Sequence, residues 1–329
     1  MSKMPLLKVE DLTVYFKISQ RNAWPWQAKK TLKAVDGVSF ELHAGETLGI
    51  VGESGCGKST LARAILGLLP AQKGKVLWLS EDLCQLDKKS MRAKRRDLQM
   101  IFQDPLASLN PRMTVGEIIA EPLKAFYPAK KKTQVIDAVK KMMQVVGLLP
   151  NQINRYPHEF SGGQSQRIGI ARALIIQPKM IVCDEPVSAL DISIRGQIIN
   201  LLRDLQKKLD LSLIFITHDL SVVRYISHRI LVMYLGRIME INDKNELFNH
   251  PQHPYTQALI SAVPVPDPKK ERAKKLKLLP GELPSPILPP SGCVFRTRCP
   301  RAVPACSEHV PSLATVSSQG QAACIRLHE

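Results

Sequence analysis

The stretch TLGIVGESGCGKSTLARAILGLL, residues 47–69, constrains the fold more than any other part of the chain. An apolar run comes first, then the pattern G-x-x-x-x-G-K-[ST], then a helical period, which is the order strand, phosphate-binding loop, helix. Gly52, Gly55 and Gly57 let backbone N–H groups turn inward around phosphate oxygens. Lys58 brings a positive charge to the β and γ phosphates, and the Ser59 hydroxyl can ligate Mg²⁺. The helix N-terminus adds a favourable dipole. Glu53, Ser54, Cys56 and Thr60 complete the expected nucleotide-binding set.

A second motif follows. KMIVCDEP, residues 179–186, reads as an apolar strand ending in two acids. Asp184 at the strand tip can hold the Mg²⁺ shell, and Glu185 can polarise an attacking water. The two motifs together give a P-loop NTPase. The rest of the pattern agrees with an α/β chain. LLKVEDLTVYF (6–16) alternates as a strand, and 34–52 reads as two strands joined by a turn at Ala44–Gly45. The segment from 106 to about 160 is mostly helical, interrupted by YPAKKK. MIVCDE and LSLIFITH are short β-branched runs, each preceded by a helical segment, as a parallel sheet with helices packed on it requires. Residues 17–34 read as a hairpin excursion tipped by Trp24 and Trp26.

From about residue 264 Pro and Lys dominate, so the expected organisation is an ATP-binding domain over 1–263, with a helical subdomain near 106–165, and a Pro-rich extension over 264–329. The run KKERAKKLK (269–277) reads as a solvated linker. The net charge is +17, which favours anionic partners: nucleic acid, nucleotide or the inner face of a membrane. The start MSKMPLLKVEDL is too charged for a signal peptide, and no apolar run is long enough to span a bilayer. A cytosolic location is expected, with reduced thiols.

FSGGQSQR (160–167) resembles the signature of the ABC ATPase family. The resemblance covers about residues 6–262. It implies that Ser161, Gly162, Gly163 and Gln164 contact a nucleotide bound to the opposite subunit, so that two cassettes sandwich ATP. IFQDP places Gln103 where that family meets Mg²⁺ and water and couples to the membrane partner. SALD places Asp191 in the loop crossing the dimer interface, and FITHD places His218 at the γ-phosphate switch position. TVYF offers Phe16, or alternatively Tyr15, to stack on adenine. Glu185 and His218 are both intact, so the resemblance implies a competent ATP site.

QDPLASLNPRMTVGEIIAEPL, HPYTQALISAVP and GELPSPILPPSGCVFRTRCP resemble the ATPases of oligopeptide and dipeptide importers. That resemblance implies a sister ATPase as partner, two transmembrane permease subunits and, indirectly, a peptide-binding protein. The place of work would be the cytoplasmic face of the membrane, peripherally held. The cargo that the resemblance implies is an oligopeptide, with a dipeptide, a murein peptide or nickel as the alternative. A soluble ABC ATPase acting on nucleic acid or the ribosome is the rival of another class, disfavoured because the chain has one cassette and no sustained heptads. Cys293, Cys299, Cys306 and Cys324 lack the tight C-x₂-C pairs of structural zinc sites. Four reduced thiols can ligate Zn²⁺ or an iron–sulfur cluster. The resemblance implies a [4Fe–4S] cluster there.

Overall fold

The computed structural model describes residues 4–19, 29–264, 267–273, 277–318 and 320–327. In chain order its strands are β1 (Leu7–Ile18), β2 (Lys30–Leu42), β3 (Thr47–Val51), β4 (Lys73–Trp78), β5 (Glu81–Asp82), β6 (Leu98–Ile101), β7 (Met180–Asp184), β8 (Ser212–Ile216), β9 (Arg229–Tyr234), β10 (Arg237–Asp243), β11 (Ala314–Thr315) and β12 (Gln321–Ala322). The helices are α1 (Lys58–Ile65), α2 (Lys88–Lys94), α3 (Val115–Phe126), α4 (Lys132–Val145), α5 (Gly162–Leu174), α6 (Ile192–Leu209), α7 (Leu220–Ile226), α8 (Lys244–Asn249), α9 (Pro254–Ser261), α10 (Pro268–Ala273) and α11 (Ala305–Glu308). Two compact units result. The first comprises Met1–Leu42, Leu48–Gln85 and His218–Glu329, and the second His43–Thr47 and Leu86–Thr217. Among the described residues no helix is long and apolar enough to cross a membrane.

In the first unit, β2, β1, β4 and β5 form an antiparallel sheet in that order. Leu7, Val9, Leu12 and Val14 of β1 are buried, and the alternation shifts where the register slips between Val9 and Leu12. The flanks of the expected excursion pair through Ile18 and Lys30. Its tip, with Trp24 and Trp26, lies outside the described residues. A second group of strands starts from β3, which pairs in parallel with β9, Leu48 opposite Arg229. The β9–β10 hairpin turns at Leu235 and Gly236, both at positive φ (44° and 78°), the turn that suits the twist of paired strands.

The C-terminal segment builds directly onto this unit. β12 pairs with β10, Glu240 opposite Ala322, and β11 pairs with β12. Phe295 is fully buried against Tyr234 (ring centroids 5.3 Å, edge-on) and Tyr255 (5.4 Å). Val294, Cys293 and Cys306 belong to the same apolar core as Val232 and Leu247. The Pro-rich extension therefore shares the core beneath β9 and β10.

That packing corrects one expectation. Among the described residues, no group of three or more His, Cys, Asp or Glu side chains is placed to hold a metal ion. Cys293, Cys299, Cys306 and Cys324 do line one cavity, but its volume is about 20 Å³, room for a single water and not for an iron–sulfur core. Burial pushes the Cys293 and Cys299 thiols up, toward the neutral form rather than the thiolate that a metal requires. The [4Fe–4S] cluster is withdrawn; Cys293 and Cys306 serve as small apolar packing residues.

In the second unit β6, β7 and β8 run parallel, Leu98 opposite Met180 and Met180 opposite Ser212. Every residue of β7 and β8 is buried, which explains why MIVCD and SLIFI read as unbroken apolar runs rather than alternations. The helical stretch expected near 106–160 contains α3 and α4, with YPAKKK spanning the turn between them. Thr114 caps α3 reciprocally with Glu117, its Oγ1 accepting from the Glu117 N–H and its own N–H donating to Glu117 Oε2.

Candidate nucleotide site

The phosphate loop lies in the first unit, between β3 and α1. Lys58 opens α1 and is 5% exposed. Its Nζ donates to the carbonyls of Gly52 (2.8 Å) and Glu53 (2.9 Å) and sits 3.7 Å from Cys56 Sγ. The ammonium thus occupies the inside of the loop. Two glycines are enforced by close approach. A Cβ on Gly52 would stand 2.2 Å from the Met233 carbonyl oxygen, and one on Gly57, at φ +105°, 2.0 Å from that of Ala34. Gly55, at φ +79°, meets nothing within 4 Å, so only its backbone conformation asks for glycine. Ser54 and Gly55 are exposed, while Ser59 and Thr60 are partly buried in the first helical turn. This donor set fits a polyphosphate: a helix N-terminus, a glycine cradle that side chains would fill, and a buried ammonium. Cys56 lies beside that ammonium. It is 1% exposed, and burial pushes its thiol up, so it is a neutral packing group.

Glu53 is held from elsewhere in the chain. Its N–H donates to the hydroxyl of Tyr255 (3.1 Å), and its two carboxylate oxygens accept from Arg298 Nη1 at 2.9 and 3.0 Å. Sequence reasoning missed both partners, which stand 202 and 245 residues away. The only available signal was that each falls within a segment whose pattern was distinctive, HPYTQ and FRTRCP.

Near the start of the same unit, the Tyr15 hydroxyl donates to Asp36 Oδ1, and burial together with that carboxylate pushes its pKa up to about 12. Asp36 in turn takes Arg237 through Nε (3.0 Å) and Nη2 (2.6 Å). Tyr15 is therefore committed to this network, leaving Phe16, half-buried on β1, as the aromatic candidate. His218 is exposed and directly precedes Asp219, whose carboxylate caps α7 by accepting the Ser221 and Val222 N–H groups.

The acidic pair lies in the second unit. Asp184 ends β7 and is 2% exposed. Glu185, next along, has a left-handed backbone at φ +46°. It is held there by its N–H to Ile216 O (3.0 Å) and by Ser188, whose N–H and hydroxyl both reach its carbonyl. A strained non-glycine backbone held by its surroundings is typical of functional positions. Gln103 Nε2 donates to Glu185 Oε2 at 3.3 Å, so two of the three expected catalytic residues meet within this unit.

Ser161 caps α5, its Oγ accepting from Gln164 N–H (3.4 Å) while Gln164 Oε1 accepts from Ser161 N–H (3.0 Å). Ser161 and Gly162 are exposed, so this helix N-terminus faces open space. Gly163 is different. A Cβ there would lie 2.4 Å from Ile194 Cγ2, so this glycine admits the close approach of α6. Asp191 precedes α6 and is exposed, with Ile192 beside it 85% exposed.

Comparisons with known proteins agree with this arrangement. The family profile described as "ABC transporter" matches residues 35–188, and that described as "Oligopeptide/dipeptide transporter, C-terminal region" matches 239–306. The Oligopeptide transport ATP-binding protein OppF of Salmonella typhimurium is 64% identical over 308 residues, covering 94% of this chain and 92% of that protein. The protein of the same name in Escherichia coli is 63% identical over the same span. Among solved structures, the dimeric, ADP- and Pi-bound ATP-binding cassette MJ0796 is similar with a TM-score of 0.65 at 28% identity, covering 72% of this chain and 98% of that one. The phosphate loop, the acidic pair and the capped signature helix thus stand in a chain that belongs to the ABC transporter ATPases, in the group carrying the oligopeptide/dipeptide transporter C-terminal region.

Proposed function

We propose that this chain hydrolyses ATP to power oligopeptide uptake through a membrane importer. The observation that carries the reading is Lys58, held inside the glycine loop by the Gly52 and Glu53 carbonyls, contacts a triphosphate can replace. In this reading Phe16 stacks on adenine, and Lys58 with the loop amides from Gly52 to Thr60 grips the phosphates. Ser59, Asp184 and Gln103 would offer Mg²⁺ the oxygen ligands it prefers, and the ion would supply neutralisation of the phosphate charge. Glu185 polarises the attacking water, with Gln103 hydrogen-bonded to its carboxylate and fixing its orientation. The water oxygen bonds to the γ-phosphorus as the bond to the β–γ bridging oxygen breaks, releasing ADP and phosphate. His218 contacts the γ-phosphate.

The exposed Ser161–Gly162 helix start and the exposed Asp191–Ile192 corner support a second cassette that caps the nucleotide. The dimeric MJ0796 cassette supports the same arrangement. We read the partner as a sister ATPase beneath two transmembrane permease subunits, fed by a peptide-binding protein, with Gln103 near the coupling surface. The net charge of +17 suits a peripheral place against an anionic cytoplasmic membrane face. The working division remains residues 1–263 for ATP and 264–329 for the extension.

The test is Glu185→Gln. ATP binding is expected to persist while turnover at this chain's site falls by about 10²–10⁴, the usual worth of a general base. Wild-type hydrolysis at that site would sink the assignment. Competitive uptake in a strain lacking this chain distinguishes oligopeptides from dipeptides, murein peptides or nickel.

A further inference from the structure

Glu53 has its N–H, its carbonyl and its carboxylate all engaged at once. Its carbonyl accepts from Lys58 Nζ (2.9 Å), its N–H donates to Tyr255 Oη (3.1 Å), and its carboxylate takes Arg298 Nη1 (2.9 and 3.0 Å). The first contact belongs to the loop's own lysine. The other two belong to the C-terminal part of the chain, and neither partner is free to drift. Tyr255 is fully buried and packs edge-on to Tyr234 at 4.8 Å. The Arg298 guanidinium lies over the Tyr234 ring at 5.9 Å, its side chain only 11% exposed. Phe295, three residues before it, is locked between Tyr234, Tyr255 and His253.

The electrostatic consequence is direct. A carboxylate one residue into a loop built for phosphates repels the incoming nucleotide unless it is neutralised. Arg298 supplies that neutralisation at 11% exposure, where solvent screens little. It also fixes the Glu53 backbone whose carbonyl receives Lys58.

We propose that Arg298 is a positioning residue for the phosphate loop. By neutralising and orienting Glu53 it sets the affinity for ATP, and it thereby makes nucleotide binding report whether the C-terminal extension is folded in place. This inference rests on the reading of residues 52–60 as the nucleotide site. The extension is then part of the ATP site's support and not an appendage to it.

The experiment is a double-mutant cycle in the full chain, with ATP affinity read by calorimetry and KM and kcat read separately. Arg298→Ala is expected to weaken ATP binding about tenfold, the worth of one charge-assisted hydrogen-bonded pair, with kcat little changed. Arg298→Lys keeps the charge without the planar fork and is expected to recover part of the loss. In a Glu53→Gln background the Arg298→Ala effect is expected to vanish, because nothing remains to neutralise. A merely structural role would lower the amount of folded protein without moving KM and would be indifferent to Glu53→Gln. Unchanged affinity in Arg298→Ala, or the same loss in the Glu53→Gln background, overturns the proposal. If Arg298→Ala does not fold, Arg298→Lys completes the cycle with a loss of a few-fold expected, again absent with Glu53→Gln. Lys58→Ala separates the two readings. If it binds ATP as wild type, the nucleotide site itself is misplaced; if it loses ATP while Arg298→Ala keeps it, only the positioning role fails.

Discussion

Acidification should loosen the first unit through one buried imidazole. His253 is 1% exposed and caps α9, its Nδ1 accepting the Tyr255 N–H at 3.1 Å. Its backbone N–H donates to Glu240 Oε2 at 2.9 Å, and its ring lies 5.5 Å from Phe295. Burial pushes its pKa from 6.5 down to about 3. The unfolded chain therefore binds a proton near 6.5 that the folded chain refuses until about 3. Across that window the unfolded state holds more protons, so stability falls as pH falls. Each unit is worth about 1.4 kcal/mol, so moving from pH 7 to pH 5 costs about 2 kcal/mol. Protonation would also turn Nδ1 from acceptor to donor and break the cap. The assay is urea denaturation at pH 7, 6 and 5 for the wild type and for His253→Asn, which keeps a capping acceptor but does not titrate. Glu240 titrates with the opposite sign. Burial raises its pKa, so its contribution is lost as pH rises; it is present in both proteins and drops out of the difference. The stability of the wild type relative to the variant should fall by about 2 kcal/mol between pH 7 and pH 5. A difference that stays constant over that range refutes the burial argument.

Two further outcomes follow from the same geometry. Gly57→Ala, whose Cβ would meet the Ala34 carbonyl at 2.0 Å, should abolish ATP binding, whereas Gly55→Ala, with open space around it, should cost only about 1–2 kcal/mol of backbone strain; equal effects in a calorimetric titration would contradict the loop geometry. Burial and the neighbouring Asp184 carboxylate push the Cys183 thiol well up, and β7 is closed to solvent, so iodoacetamide at neutral pH should label exposed Cys84 and leave Cys183 untouched until the chain unfolds; mass spectrometry showing early Cys183 labelling would refute it.

How much of this was legible in the sequence depends on the reach of each interaction. The phosphate loop closes on itself within a few residues, Lys58 bonding to Gly52 and Glu53, so its pattern carries its own geometry. β7 and β8 were legible because both are buried throughout, and no register had to be guessed. Why position 163 needs a glycine was not legible, because Ile194, which a Cβ there would meet, sits on another helix 31 positions along. The choice between Tyr15 and Phe16 turns on the pairing of β1 with β2, which brings Asp36 to the Tyr15 hydroxyl. The four C-terminal cysteines show the converse error. The resemblance implied a cluster, but what they enclose is decided by how tightly Phe295 and its neighbours pack, and that leaves space for one water.

β12 lies along the outer side of β10, with Glu240 and Ile241 facing Ala322 and Gln321. A strand without a neighbour offers a row of unsatisfied N–H and C=O groups that recruits whatever extended chain arrives. Gln321 and Ala322 of the same chain occupy that seat. A chain cut back to its ATP-binding part would carry an unguarded, apolar strand margin, and such molecules should zip together edge to edge and come out of solution.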